Sequence, residues 1–118
     1  MLDKATILAA QDLKTQDVDI PEWGGSVRIK TMSGREREGF LAAVAGLDES
    51  IDANARMGIL VRHLLVTTLV GEDGVRVFAD GDVDALADKS AEVLQRLFVV
   101  AQTINGLGVK AQDDIAKN

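Results

Sequence analysis

The sequence predicts an α+β fold that is mainly helical, with three to four helices, one N-terminal β-hairpin and a possible second short hairpin. Near the N-terminus, two runs of alternating apolar and polar residues flank a Pro-Glu-Trp-Gly-Gly centre, which is the pattern of a hairpin. Over most of the remaining chain, apolar residues recur every three or four positions, which indicates amphipathic helices. Apolar residues make up 47% of the chain, but its only aromatic residues are three phenylalanines and one tryptophan. Aliphatic side chains and alanine must therefore fill the core.

The length of 118 residues indicates one domain, residues 1–118, that can bury a core without disulfides or metal. We expect flexible ends at about residues 1–12 and 109–118, because both segments bury little apolar surface. The first 16 residues contain one apolar stretch, Ala5–Ala10, which is long enough for a single helical turn. The sequence therefore predicts a loosely held arm before the hairpin.

The hairpin spans Val18 to Lys30. In its first strand Val18 and Ile20 share one face, and in its second strand Val27 and Ile29 do the same. Between them, Gly24-Gly25 is expected to supply the positive φ angles of the reversal. The chain's only proline and only tryptophan also lie in this turn.

Three helices follow from capping signals and periodicity. Ser33-Gly34-Arg35-Glu36 fits a capping box, so a helix is expected to begin there. A second helix, from about Ala53 to Leu69, has apolar residues on several sides and should be central. The last runs from about Ser90 to Asn105, with Gly106 placed to end it in the left-handed conformation.

Between the second and last long helices, the sequence predicts a turn and a short helix. Gly71–Gly74 is a turn signal between β-branched segments, which favours a second short hairpin. Asp80 or Asp82 can then cap a short helix through Val83 and Leu86.

Bulk composition excludes several function classes. A net charge of −6 argues against general nucleic-acid binding, which needs a basic surface. The absence of cysteine excludes disulfides, thiolate nucleophiles and cysteine-based zinc sites. Apolar runs such as Phe98–Ala101 are too short for a membrane span, and the N-terminus has no signal-peptide pattern, so we expect a cytoplasmic protein with no membrane partner.

No catalytic, metal or cofactor site is predicted. The single histidine, His63, has no serine or carboxylate at a recognisable motif spacing, so we expect it at a helix edge touching solvent or a carbonyl. Asp80, Asp82 and Asp84 have the spacing of a calcium loop, but Ala85 stands where such a loop requires glycine. An enzyme is therefore not expected.

Two features could contact a partner, and each has a structural alternative. Trp23 at the hairpin tip can cap the core or anchor an interface, and we favour the core cap. Arg28, Lys30, Arg35 and Arg37 form a basic cluster that is diluted by neighbouring glutamates and is more simply a solvated surface. The exposed strand edges need cover, so self-association into a homo-oligomer is expected.

Four segments together, in chain order, resemble the tail assembly chaperones of long-tailed bacteriophages and prophages. These segments are Leu13–Thr15, Val18–Ile29, Met32–Arg37 and Leu97–Leu107. The resemblance implies a non-catalytic protein that binds the tape measure protein, helps recruit tail tube subunits and is absent from the mature virion. It also implies that this chain is the short form, with tube binding mainly in a longer frameshifted form; Ala116–Asn118 would suit a slippery coding sequence.

The candidate partner-binding residues are Trp23, Arg28, Lys30, Arg35, Leu60 and Leu64. The expected setting is the cytoplasm of the bacterial host. The alternative to a chaperone function is that of a small self-associating adaptor or regulatory protein unrelated to phage tails.

Overall fold

Four α-helices and three β-strands form an α+β, mainly helical fold in the computed structural model, which describes residues 1–107. In chain order the elements are α1 (Lys4–Ala9), β1 (Thr15–Ile20), β2 (Gly25–Lys30), α2 (Gly34–Ala45), α3 (Ala53–Thr68), β3 (Leu69–Val70) and α4 (Ala91–Ile104). The strands form one antiparallel sheet in the order β1-β2-β3. The fold class is as the sequence predicted. The expected flexible end at 109–118 and the Ala116–Asn118 ending lie outside the described residues.

The N-terminal hairpin is confirmed. β1 and β2 pair in register from Thr15 opposite Lys30 to Ile20 opposite Gly25. A 3₁₀ turn, Pro21–Trp23, joins them, and the Gly24 N–H donates to the Pro21 carbonyl at 3.0 Å. Gly24 has a φ of 76°, but Gly25 belongs to β2 and has no positive φ, so a single left-handed glycine makes the reversal.

The second hairpin exists in a minimal form. The last turn of α3 leads directly into β3, which is two residues long and pairs Leu69 with Ile29 and Val70 with Arg28. The chain then turns, with Gly74 at a φ of 79°, and Arg76 forms an isolated bridge with Val70.

Helix starts follow the predicted capping chemistry. The Ser33 hydroxyl accepts from the Glu36 N–H at 3.2 Å while the Glu36 carboxylate accepts from the Ser33 N–H at 3.0 Å, so the capping box is formed. Asp52 caps α3 and Ser90 caps α4. Gly106, at a φ of 69°, follows the end of α4.

The predicted short helix after residue 80 is wrong in detail. The segment forms two 3₁₀ turns, Asp80–Asp82 and Asp84–Leu86. The Asp82 carboxylate accepts from the Ala79 N–H, and Asp80 pairs with Arg76, so neither side chain accepts from the N–H groups of a following α-helix. Without that cap, the segment stays in single turns.

Helix α3 is central, as predicted. Its C-terminal part is buried on every side, from Leu64 to Thr68. The sheet contributes Ile20 and Ile29 to the core, and α4 contributes an apolar stripe that includes Leu97 and Ala101. All four of these side chains are fully buried.

A buried amide at the end of α4 ties three parts of the fold together. The Asn105 Oδ1 accepts from the Met32 N–H at 2.7 Å, and its Nδ2 donates to the carbonyls of Lys30 at 3.3 Å and Ala101 at 2.9 Å. The Asn105 carbonyl accepts from the Arg37 guanidinium at the start of α2. The end of β2, the start of α2 and the end of α4 are therefore joined at one residue.

The hairpin tip is held separately. Both Glu22 carboxylate oxygens accept from the Arg96 guanidinium of α4, at 3.1 and 2.7 Å. This hydrogen bonding lowers the pKa of the Glu22 carboxyl from its ordinary 4.5 to about 2. The turn next to Trp23 is thus fixed against α4.

Replacing Asn105 with alanine should lower the free energy of unfolding by about 2–4 kcal/mol, because the buried Met32 N–H loses its acceptor and two carbonyls lose a donor. Urea denaturation followed by circular dichroism measures this. The control is Gln95→Ala on the exposed side of α4, which should change stability by no more than about 0.5 kcal/mol. Equal effects of the two substitutions would contradict the role assigned to the amide.

The contribution of the Glu22–Arg96 pair should depend on pH. Since the folded-state pKa of Glu22 lies below the ordinary value of 4.5, the pair stabilises the fold above about pH 4.5, and that stability is lost as the pH falls towards 2. The stability difference between the wild type and Glu22→Gln should therefore shrink over this interval. In an NMR titration, Glu22 should titrate near 2 in the wild type and return to about 4.5 in Arg96→Met. A wild-type Glu22 that titrates near 4.5 would refute the pairing.

Candidate functional site

A groove of about 420 Å³ opens beside the hairpin, and we call it the hairpin groove. Its walls are largely apolar, and polar side chains line part of its rim. The lining residues are Asp17, Trp23, Ser26, Val27, Arg28, Leu69, Val70, Gly71, Glu72, Val77 and Phe78. It is larger than the second cleft described below.

The groove follows from the shortness of β3. Because β3 ends at Val70 and the chain turns at Gly71, the first three residues of β2, Gly25–Val27, are paired with β1 alone. The returning segment places the half-buried Phe78 against the core and leaves Val77 58% exposed. An apolar surface next to an incompletely paired strand results.

Trp23 is partly exposed at the hairpin tip, and the favoured core-cap interpretation of this residue stays a prediction. Its side chain is 38% exposed, lies outside the core cluster and lines the hairpin groove. The 3₁₀ turn and the Glu22–Arg96 pair hold the hairpin tip against the surface of α4. A partly exposed tryptophan beside an apolar groove has the character of an interface anchor.

Arg28 forms the polar rim of the same groove. Its guanidinium makes two bonds to the Asp17 carboxylate, at 2.7 and 3.1 Å, and a longer one of 3.4 Å to the Glu72 carbonyl. The hydrogen bond from Arg28 holds the pKa of the Asp17 carboxyl below its usual value. The pair is neutral as a unit, so the rim offers no net positive charge at this point.

The rest of the basic cluster does not form a free patch. Lys30 pairs with Glu36 at 2.5 Å in a partly buried setting, and Arg37 is engaged by the Asn105 carbonyl. Burial raises the pKa of the Glu36 carboxyl, but the bonds from Lys30 and Ser33 outweigh it, and the pKa lies below its usual value. Arg35 is exposed and has no hydrogen bond or ion pair within residues 1–107. None of these three basic residues lines the hairpin groove.

The two leucines predicted to contact a partner lie elsewhere. Leu64 is fully buried in α3, so no part of its side chain is available on the surface of this chain. Leu60 is half-buried and packs against the core. Of the six predicted residues, only Trp23 and Arg28 line the groove.

His63 lies in a second cleft, of about 360 Å³, between α2 and α3. The ring is half-buried and meets Phe40 edge to face, with centroids 5.8 Å apart. Its Nδ1 is buried and has no hydrogen-bond partner in the described part of the chain, so the expected contact with solvent or a carbonyl is not made by this atom. Among residues 1–107, no three His, Cys, Asp or Glu side chains are grouped as metal ligands.

Sequence reasoning missed Val77 and Phe78. Both lie in the β-branched segment after the Gly71–Gly74 turn, and the sequence gives no signal that β3 stops after two residues. Only Val75 and Val77 alternate with a polar residue, Arg76, and so short a pattern does not show which side meets the core.

Sequence reasoning also missed the apolar surface of the arm. Every residue from 1 to 14 is exposed, including Leu2 at 72% and Leu8 at 75%.

No helix in the described part of the chain is both long and apolar enough to cross a membrane.

Comparison with known proteins identifies the family. A model of the phage tail assembly chaperone family matches residues 3–118. The structure of the bacteriophage HK97 tail assembly chaperone superimposes with a TM-score of 0.60 over 85% of this chain and 90% of that chain, at 19% sequence identity, which shows a shared fold. No curated protein matches the sequence. Because the family match extends over nearly the whole chain, this protein belongs to the phage tail assembly chaperones.

Proposed function

We propose that this protein is a non-catalytic chaperone that binds the phage tape measure protein in the hairpin groove during tail assembly. The observation that carries the proposal is the groove itself, where Trp23 and Val77 expose apolar surface beside the incompletely paired edge of β2. Family membership supports the general role, and the groove gives it a binding surface.

The proposed client segment is an amphipathic helix. Apolar side chains on one face of such a helix would fill the groove, while its polar face stays in water. Since Arg28 and Asp17 are already paired, recognition rests on apolar burial more than on charge. Such a surface tolerates many sequences, which suits a chaperone that binds repeatedly along a long client.

Each contact of this kind is weak on its own. Several copies bound along one tape measure protein would keep it soluble through multivalency, and self-association between the copies would raise their effective concentration. A homo-oligomer in the cytoplasm of the host is the state in which we expect the free protein.

Recruitment of tail tube subunits is the second part of the proposed role. We place it mainly in a longer frameshifted form, with this chain as the short form and neither form retained in the mature virion. Family membership favours a role in tails over that of an adaptor or regulatory protein unrelated to tails.

Co-expression with the tape measure protein of the same phage tests the proposal. The wild type should raise the soluble fraction of the tape measure protein and co-purify with it. Val77→Asp, at an exposed position in the groove, should reduce co-purification by at least about tenfold, because the complex would bury an unpaired carboxylate.

The matched control is Leu41→Asp on α2, which is 53% exposed and lies outside the groove. It should retain binding. An equal loss of co-purification in both variants would refute the groove as the binding site. If the wild type does not co-purify with the tape measure protein, the proposed client is wrong.

A further inference from the structure

Asn105-Gly106 is the one Asn-Gly pair in the sequence, and it lies at the end of α4. An asparagine side chain can be attacked at its Cγ atom by the backbone nitrogen of the residue that follows it. Glycine favours this reaction, because it has no side chain to hinder its nitrogen and its backbone reaches many conformations. The Asn105 amide is therefore chemically vulnerable wherever this part of the chain is free to move.

The reaction destroys the amide. As the Gly106 nitrogen bonds to the Cγ atom of Asn105, it gives up its proton, and the Nδ2 atom leaves as ammonia. Water then opens the five-membered imide, adding its hydroxyl to one of the two carbonyl carbons and its remaining proton to the nitrogen. The product at this position is an aspartate or an isoaspartate, and either one carries a negative charge at neutral pH.

The folded chain holds the pair in a geometry that does not react. At the Asn105 ψ of 2°, the Gly106 nitrogen is eclipsed with the Asn105 backbone nitrogen, whereas ring closure requires it on the Cβ side. The Gly106 N–H is also engaged, since it donates to the Thr103 carbonyl at 3.2 Å. Reaction therefore requires the end of α4 to unwind.

The contacts of Asn105 oppose this unwinding. Rotation about ψ would carry the Asn105 carbonyl away from the Arg37 guanidinium, which donates to it. The side chain is held too, because this residue is 6% exposed and its amide bonds the Met32 N–H and the Lys30 and Ala101 carbonyls. The rate of reaction in the folded protein thus depends on how often this region opens.

Neither product can rebuild the contacts of the amide. A carboxylate has no N–H to donate, so the Lys30 and Ala101 carbonyls would face a negative charge in place of their donor. Isoaspartate also adds a methylene group to the backbone. Because a buried acceptor without a donor is costly, a converted chain should not recover the packing of α4 against the hairpin.

We infer that Asn105 is a spontaneous deamidation site that the fold protects, and that its conversion removes opened chains from the folded population irreversibly. The working lifetime of the free chaperone is then set by opening at the end of α4. This property does not depend on the tape measure protein or on the hairpin groove.

Peptide mapping by mass spectrometry, with detection of isoaspartate, tests the site. Wild-type protein is incubated in one mildly alkaline buffer with and without guanidinium chloride. Conversion at Asn105 should be at least about tenfold faster in the denaturant, since the folded chain reacts only through opening. Equal rates at Asn105 under the two conditions would overturn the inference.

Asn54 is an internal control in the same samples. It is exposed and precedes Ala55, so in denaturant it should convert at least about tenfold more slowly than Asn105, which precedes a glycine. Equal rates at the two asparagines in denaturant would equally overturn the inference.

Two arginines near the start of α2 supply a matched pair of variants. Arg37→Met removes the bond to the Asn105 carbonyl and leaves the Asn-Gly pair intact, so conversion without denaturant should rise at least about fivefold. Arg35→Met removes an exposed guanidinium that has no hydrogen bond or ion pair within residues 1–107, and the rate should keep its wild-type value. The same rate in both variants would show that the Asn105 contacts give no protection.

Asn105→Asp carries the aspartate product directly. Its ratio of folded to unfolded chains should fall at least about tenfold below that of the wild type, as measured by denaturation followed by circular dichroism. Asn54→Asp makes the same charge change at an exposed position and should keep this ratio within about threefold. If Asn105→Asp is as stable as the wild type, conversion does not remove chains from the folded population, and the inference fails.

Discussion

The buried amide of Asn105 is the constraint on which the arrangement of sheet and helices depends. Its buried side chain bonds the Met32 N–H and the Lys30 and Ala101 carbonyls, and its own carbonyl accepts from the Arg37 guanidinium. Apolar contacts are tolerant of small shifts, whereas these bonds have one geometry. The end of the hairpin and the start of α2 therefore have a fixed position relative to α4.

Asn105 fixes the end of the hairpin that leads into α2, and the Glu22–Arg96 pair fixes the hairpin tip. The position of the surface between these two points is therefore defined. The sheet stops early on the β3 side, so β2 is left partly unpaired at a point where Trp23, Val77 and Phe78 converge. A longer β3 would close this surface by ordinary strand pairing. The groove thus results from a strand that ends after two residues.

Binding at an apolar surface of this kind, as proposed for this protein, would need no reactive groups. Arg28 and Asp17 at the groove rim are paired within the chain, so under the proposed function the affinity would come mainly from apolar burial. An uncovered apolar groove and an uncovered apolar arm are aggregation hazards in a free protein.

The sequence by itself determined the elements that depend on local chemistry: the hairpin, the Ser33 capping box, the extent of α3 and the end of α4 at Gly106. It also contained the segments that resemble the tail assembly chaperones. Only the tertiary structure decided that Leu64 is buried, that Trp23 is partly exposed and that Val77 and Phe78 join it in the groove. Hydrophobic periodicity shows that a helix or strand has an apolar face. Which other element covers that face depends on contacts between segments far apart in the chain.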